Sequence, residues 1–199
     1  MNIEKPKLII IAGPNGSGKT SVTNNILEHE WIEGCVYINP DIIAQEEFGD
    51  WNSPQAVMKA VIKAAELRGK YLCEKKGICF ETVLSASEKL EYIMKAKDEG
   101  YFTRLFFVGT DHPSINASRI AHRVMEGGHD VPISKIISRF SKSISNCCIA
   151  ARIVDRLYVY DNSVDNAEPK LLLRATNGEL GKIYSPVNNW AQPILKSLF

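Results

Sequence analysis

The 199-residue chain lacks a charge of one sign: 24 Lys and Arg stand against 23 Asp and Glu, a formal net charge of +1. Domains that live on nucleic-acid backbone carry a visible basic excess, so this balance disfavours nucleic acid as a partner and leaves room only for a local basic site. Long hydrophobic runs are missing too. No window approaches the roughly 18–20 apolar residues of a membrane span, and no membrane role is expected. The run Leu8–Ala12 behind the mixed-charge segment Met1–Lys7 is too short for the core of a signal peptide. The five cysteines (Cys35, Cys73, Cys79, Cys147 and Cys148) include no C-x-x-C pair and are odd in number. That argues against a zinc site and for a reduced, cytoplasmic protein in which most of them are small core hydrophobes. The adjacent Cys147 and Cys148 leave a redox role open. No internal repeat, low-complexity stretch or linker interrupts the chain. With 45% hydrophobic and 24% charged residues, the composition is that of one ordinary globular domain over residues 1–199.

What is present is an alternation of two periodicities. Lys7–Ala12 is a continuous apolar run rich in isoleucine, the mark of a strand buried on both faces of a parallel sheet. A helix is expected over about Thr20–Glu30, then a short strand at Cys35–Ile38. Ser53-Pro54 reads as an N-cap with proline in the first turn, opening a helix toward Glu74. Within it Val57, Val61, Ala64 and Arg68 share a stripe that Met58, Ile62 and Ala65 widen, and this is expected to be the buried face. Further strands are expected at Ile78–Val83, Phe102–Val108, Leu157–Tyr160 and Lys170–Ala175. Helices are expected at Ser87–Glu99, Ile115–Met125 and from Pro132 to about Ala151. The tail Asn177–Phe199 suits a short hairpin and a last helical turn. Strands alternating with helices imply an α/β fold, an open and mainly parallel sheet flanked by helices.

Gly13-Pro14-Asn15-Gly16-Ser17-Gly18-Lys19-Thr20 fits G-x-x-x-x-G-K-[ST] at every fixed position, between a strand and a helix. Glycines allow successive backbone N–H groups to turn inward as an anion nest, and the helix beginning near Lys19, with Ser21 in its first turn, aims its positive end at the same point. Lys19 can reach the outer phosphates and the Thr20 hydroxyl can ligate Mg²⁺. The pattern points to ATP and Mg²⁺. The guanine-reading N-K-x-D segment is absent, and no strand ends in the paired acids of a large ATPase. Short chains without those parts are mostly kinases of small molecules.

Asn39-Pro40-Asp41 follows the second strand, on the edge of an open sheet where ligands bind. Asp41 there can take the proton of an attacking hydroxyl or hold Mg²⁺ through a water; the alternative is a helix N-cap, which does not exclude catalysis. Glu81 interrupts an apolar strand end, which costs desolvation unless it has a partner. It is a candidate for gripping substrate beside Thr82 and Ser85, the alternative being a salt bridge at the sheet edge. Arg119, Arg123 and Arg139 flank Glu126-Gly-Gly-His-Asp-Val-Pro132, a hinge between basic helices that suits a lid over about residues 112–145. Arg119 and Arg123 share a helix face at i,i+4. The alternative is a solvated basic face, and His129 in the hinge is left without a role. The region from Arg119 to Lys142 holds five basic residues (Arg119, Arg123, Lys135, Arg139 and Lys142) and two acids (Glu126 and Asp130), a local balance of +3.

The P-loop, the N-P-D after the second strand, the F-E-T-V-L-S strand end, the R-V-x-x-G-G-H-x-V-P hinge and the Tyr160-Asp-Asn-Ser163 segment occur in this order. Together they resemble the zeta toxin family of P-loop kinases in compact form, over roughly Leu8 to Ser163. The resemblance implies an ATP-dependent kinase whose well-known relatives phosphorylate a sugar hydroxyl of UDP-N-acetylglucosamine, and for which an antitoxin protein is a possible partner. It also implies Asp41 as catalytic base, Lys19 and Thr20 on phosphate and Mg²⁺, Glu81 on the substrate side, and Arg123 and Arg139 on the transferred phosphoryl group. Asp161 and Asn162 would lie near the nucleotide. Two alternatives stand beside it: a P-loop kinase of another acceptor (a polynucleotide 5′-hydroxyl, a nucleoside or an antibiotic), and a nucleotide-binding regulatory module without chemistry.

Overall fold

The fold grows from one strand. β1 (Lys7–Ala12) places Leu8 and Ile10 on one face of the sheet and Ile9 and Ile11 on the other, all four at most 1% exposed. Burial of each such side chain is worth about 1.5–3 kcal/mol, so the run is held at the centre with neighbours on both sides. In the computed structural model, which describes residues 5–49, 53–128 and 130–199, β1 lies between β3 (Gly77–Thr82) and β4 (Phe102–Gly109). With β2 (Cys35–Ile38), β5 (Arg156–Asp161), β6 (Lys170–Thr176) and β7 (Glu179–Ile183) the sheet runs β2-β3-β1-β4-β5-β6-β7. The first five strands in that order are parallel, and β6 and β7 join antiparallel. The tail supplies only one arm of a hairpin: β7 pairs with β6, which precedes the tail, and the turn lies at Asn177-Gly178. Both turn residues have positive φ, the two-residue geometry that matches strand twist.

Helices cover both faces. α1 (Lys19–Leu27) lies on one, where Val22 and Ile26 pack over Ile9, Ile11, Cys79, Phe106 and Val108. The other face carries α3 (Pro54–Cys73), α4 (Glu88–Asp98), α6 (Ile133–Ile153) and the short α7 (Gln192–Lys196), packed over Ile10, Phe80, Leu105 and Phe107. α2 (Pro40–Phe48) follows β2, and α5 (Pro113–Met125) precedes α6 as the first arm of the basic hairpin. Among the described residues no helix is long and apolar enough to cross a membrane.

One expected face is corrected in part: Ala64 and Arg68 of the expected stripe are buried, but the stripe as a whole is not. α3 buries Ala56, Ala60, Ala64, Arg68 and Leu72, an i,i+4 row, and exposes Met58, Val61 and Ile62. Small alanines let the helix axis approach the sheet, which a row of valines would hold off. Of the cysteines, Cys79 and Cys147 are buried, Cys35 and Cys148 half-buried and Cys73 exposed, all as free thiols. Burial pushes the Cys147 and Cys148 thiols upward, away from a reactive thiolate. His129 lies outside the described residues.

Candidate functional site

The carboxyl ends of β1, β2 and β3 set the site. Gly13 leaves β1 with its N–H donated to the Thr82 carbonyl at 3.2 Å, tying the loop to β3. The loop turns at Gly16 and Gly18, both with positive φ, and enters α1 at Lys19. The glycines are also required by close approach. A Cβ on Gly16 would stand 2.5 Å from the Asn116 carbonyl oxygen, and one on Gly18 would collide with the Asn162 side-chain amide. The Ser17 hydroxyl is fully buried and has no hydrogen-bond partner among the described residues. The Thr20 and Ser21 side chains, in the first turn of α1, are exposed. An orphaned hydroxyl and a helix amino end on one glycine-rich loop fit the phosphates of a nucleotide.

Lys19 donates to the carbonyl oxygens of Gly13 and Pro14, each at 3.0 Å. Desolvation pulls its pKa from 10.5 down to about 8. Glu81 and Asp41 hold it up, and Arg123 pushes it further down. Lys19 itself lies on α1 and the three charges that act on it come from β3, α2 and α5, so the fold brings within electrostatic reach of one ammonium three groups from up to 104 positions away in the chain.

Asp41 is exposed on the first turn of α2. The cap of that helix is Asn39, whose Oδ1 accepts the Asp41 N–H at 2.9 Å, so the capping alternative for Asp41 is corrected. Glu81 is not at a sheet edge, because β3 lies between β2 and β1. Its Oε1 accepts from the Thr23 hydroxyl at 2.8 Å and the Tyr37 hydroxyl at 2.7 Å. Tyr37 in turn accepts from Asn39 Nδ2 at 3.0 Å. Burial, then the Glu81 charge and hydrogen bond, raise the Tyr37 phenol and keep it a donor. A chain Glu81–Tyr37–Asn39–Asp41 therefore runs along the site. Thr23 and Tyr37 belong to no sequence motif, and Asn39 stands in the N-P-D motif with no role read for its side chain; only the unpaired acid in a strand signalled that partners must exist.

Beyond Glu81 the chain turns sharply. The Leu84 N–H bonds the Thr82 hydroxyl oxygen at 3.2 Å, and Leu84 itself is buried with φ at 57°. α6 holds this turn: the Ser143 hydroxyl donates to the Val83 carbonyl at 2.6 Å and Asn146 Nδ2 to the Leu84 carbonyl at 2.9 Å. Ser85 follows, half-buried.

The three arginines separate. Arg123 is exposed and within electrostatic reach of Lys19. Arg139 donates to Asn15 Oδ1 on the P-loop at 3.3 Å. Arg119 turns to the segment after β5, with Nη1 on the Asn162 carbonyl at 2.8 Å and Nε on Asp165 at 2.7 Å. Asp161 accepts from the Ser163 hydroxyl at 2.6 Å and from Trp190 Nε1 at 2.9 Å, which fixes the strand end against the C-terminal segment.

The chain is similar to known proteins in sequence and in fold. A family model described as Zeta toxin matches residues 1–168. A curated protein of Haemophilus influenzae, described as an uncharacterized protein, is 29% identical over 123 residues, covering 62% of this chain and 84% of its own. Among solved structures, the PezAT chromosomal toxin-antitoxin system of Streptococcus pneumoniae superposes with a TM-score of 0.62 at 17% identity, over all of this chain and 86% of that one. The AvrRxo1-ORF1:AvrRxo1-ORF2 complex with sulphate ions gives 0.70 at 19% identity over 98% of this chain. The same complex with ATP gives 0.68. This chain spans 64% of the length of the AvrRxo1 chain that it matches. These likenesses show the fold alone, and the family match over most of its length shows that the chain belongs to the zeta toxin family.

Proposed function

We propose that this protein is an ATP-dependent kinase that transfers the γ-phosphate to a hydroxyl group of a small molecule, with a nucleotide sugar such as UDP-N-acetylglucosamine as the first acceptor to test. The observation that carries the reading is the convergence of Asp41, Glu81 and Arg123 on Lys19 beside a phosphate cradle. A carboxylate, an ammonium and a guanidinium around one anion nest are the parts phosphoryl transfer uses: a proton acceptor and fixed positive charge for the phosphoryl oxygens. Asp41 takes the proton of the acceptor hydroxyl as its oxygen bonds to the γ-phosphorus. The bond from that phosphorus to the bridging oxygen breaks, and its electrons leave with ADP. Lys19, Arg123 and Arg139 face the charge on the moving phosphoryl group, and Arg119 lies on the nucleotide side. Glu81 stands on the acceptor side with Thr82 and Ser85. Mg²⁺, when bound, neutralises phosphate charge, and the Thr20 hydroxyl is the residue that would hold it. A site with one protein ligand suits Mg²⁺, which keeps waters and phosphate oxygens as its other ligands. Among the described residues no cluster of three or more His, Cys, Asp or Glu offers an alternative metal cage. An antitoxin protein that restrains this activity belongs to the same reading, in line with the toxin-antitoxin complex among the structural neighbours.

The test is direct. The protein is incubated with ATP, Mg²⁺ and a cell metabolite extract, and in parallel with pure UDP-N-acetylglucosamine, and mass spectrometry identifies the species that gains a phosphate. Phosphorylation of the pure sugar nucleotide establishes the acceptor, and another phosphorylated species redirects it. Tight ATP binding with no phosphorylated product in either incubation overturns the kinase reading in favour of a regulatory module.

A further inference from the structure

The phosphate cradle is held from outside by two asparagines to which nothing above assigns a role. Asn116, in the first turns of α5, is fully buried, and its Nδ2 donates to the Asn15 carbonyl at 2.6 Å. Its own Oδ1 accepts the hydroxyl of Thr110, which is also fully buried, so the amide is fixed on both sides. Asn162, just past the end of β5 and 8% exposed, donates Nδ2 to the Ser17 carbonyl at 2.9 Å. Its backbone is fixed as well: its N–H donates to the Gly109 carbonyl at 2.9 Å, and its carbonyl receives Arg119.

The consequence follows from the peptide bond. A trans peptide is planar, with its C=O and N–H pointing in opposite directions. Holding the Asn15 carbonyl outward turns the Gly16 N–H inward. Holding the Ser17 carbonyl outward does the same for the Gly18 N–H. Among the described residues neither of these N–H groups has a hydrogen-bond acceptor. The two glycines so aimed are the ones whose Cβ would collide with Asn116 and Asn162, so residue choice in the loop and in the clamp is one constraint seen from two sides.

We propose that Asn116 and Asn162 are positioning residues that pre-aim the Gly16 and Gly18 N–H groups at the phosphates of the nucleotide. A loop left to itself loses conformational freedom each time it closes on an anion; one clamped beforehand has already lost it, and binds more tightly for that reason. Asn162 also receives Arg119 from α5, and Asn116 belongs to α5, so the first arm of the basic hairpin is rooted to the P-loop at two points. The inference rests on the nucleotide reading of the loop and not on the identity of the acceptor.

The experiment measures binding of inorganic tripolyphosphate, which carries phosphates without base or ribose, and of Mg·ATP. Calorimetry is run on the full-length wild type, Asn162→Ala and Asn116→Ala, with a thermal melt of each. The clamp predicts that Asn162→Ala loses about tenfold in affinity for both ligands by the same factor, while it stays folded at the assay temperature and its KM for the acceptor is unchanged. A purely structural asparagine would lower the melting temperature and leave the tripolyphosphate affinity of the folded protein where it was. Asn116→Ala is the more deeply buried change; if it fails to fold, Asn162→Ala still decides. Wild-type affinity for tripolyphosphate in Asn162→Ala overturns the clamp. A wild type that binds neither ligand overturns the nucleotide reading itself, and the clamp with it.

Discussion

Asn39 Oδ1 accepts the backbone N–H of Asp41 at 2.9 Å, so two residues that both suit a helix cap divide the work, and the cap falls to the asparagine. The Asp41 carboxylate is thereby left exposed on the first turn of α2 and free to meet substrate. Asp41→Asn keeps the size of the side chain and removes its basicity. Phosphate transfer is expected to fall by about 10² to 10⁴, with the dissociation constant for ATP within about twofold of wild type. Steady-state transfer and calorimetry on the same preparation check both halves. Transfer at wild-type rate removes Asp41 as the base.

Lys19 carries the pH dependence. Its ammonium form is the one that holds phosphate, and its pKa is pulled down to about 8. Affinity for ATP should therefore weaken as pH rises through about 8, by up to tenfold per pH unit while one proton is taken up on binding. Stability moves the other way. Between about 8 and 10.5 the folded chain holds fewer protons at Lys19 than the unfolded one, so the cost of burying the ammonium is relieved as pH rises. Calorimetry in two buffers of different ionisation enthalpy counts the proton. Glu81→Gln removes the largest influence holding this pKa up, and should move the midpoint for ATP binding below 8.

Most of the strand and helix order was legible because an element shows its own periodicity or cap, as do the isoleucines in β1 and Ser53-Pro54 before α3; α2 was not among the expected helices, its nine residues being too few to repeat a pattern. The face of α3 was not. Hydrophobicity alone ranks Val61 and Met58 above Ala60, yet close packing against a sheet selects the alanines, and that preference depends on distance rather than on residue type. The same divide runs through the site. The P-loop is contiguous, and its chemistry is written in its spacing. The Glu81 partners are Thr23 and Tyr37, separated from it by 58 and 44 positions, and the clamp joins Asn116 to Asn15 across 101. No local pattern marks an asparagine as the one that holds a distant carbonyl.

The three arginines should separate in kinetics as they do in space. Arg119 bonds the Asn162 carbonyl and Asp165, so Arg119→Ala is expected to weaken ATP binding about five- to tenfold with little change in kcat. Arg123 lies within electrostatic reach of Lys19, and Arg123→Ala should lower kcat by about 10² or more with ATP affinity largely kept, as for a charge that counts most in the transition state. The comparison of kcat and KM for the two variants checks the assignment. Equal losses in both parameters for both variants would mean that the basic hairpin acts as a single unit.

Gly16→Ala tests the cradle with one methyl group. The residue has φ at 75°, which an alanine adopts at a cost of about 1–2 kcal/mol, and its Cβ would meet the Asn116 carbonyl oxygen at 2.5 Å. Gly34 has nearly the same φ, 77°, and among the described residues nothing lies within 4 Å of a Cβ there. Gly34→Ala therefore bears the backbone cost without the collision, in a turn away from the loop. Both variants should lose stability, Gly34→Ala by about 1–2 kcal/mol in denaturant melts and Gly16→Ala by more. Only Gly16→Ala should lose ATP affinity, by about tenfold or more, because the alanine forces the loop away from Asn116 and turns the Gly16 N–H from the phosphates. If Gly34→Ala weakens ATP to the same degree, the loss reflects general destabilisation and not the geometry of the loop.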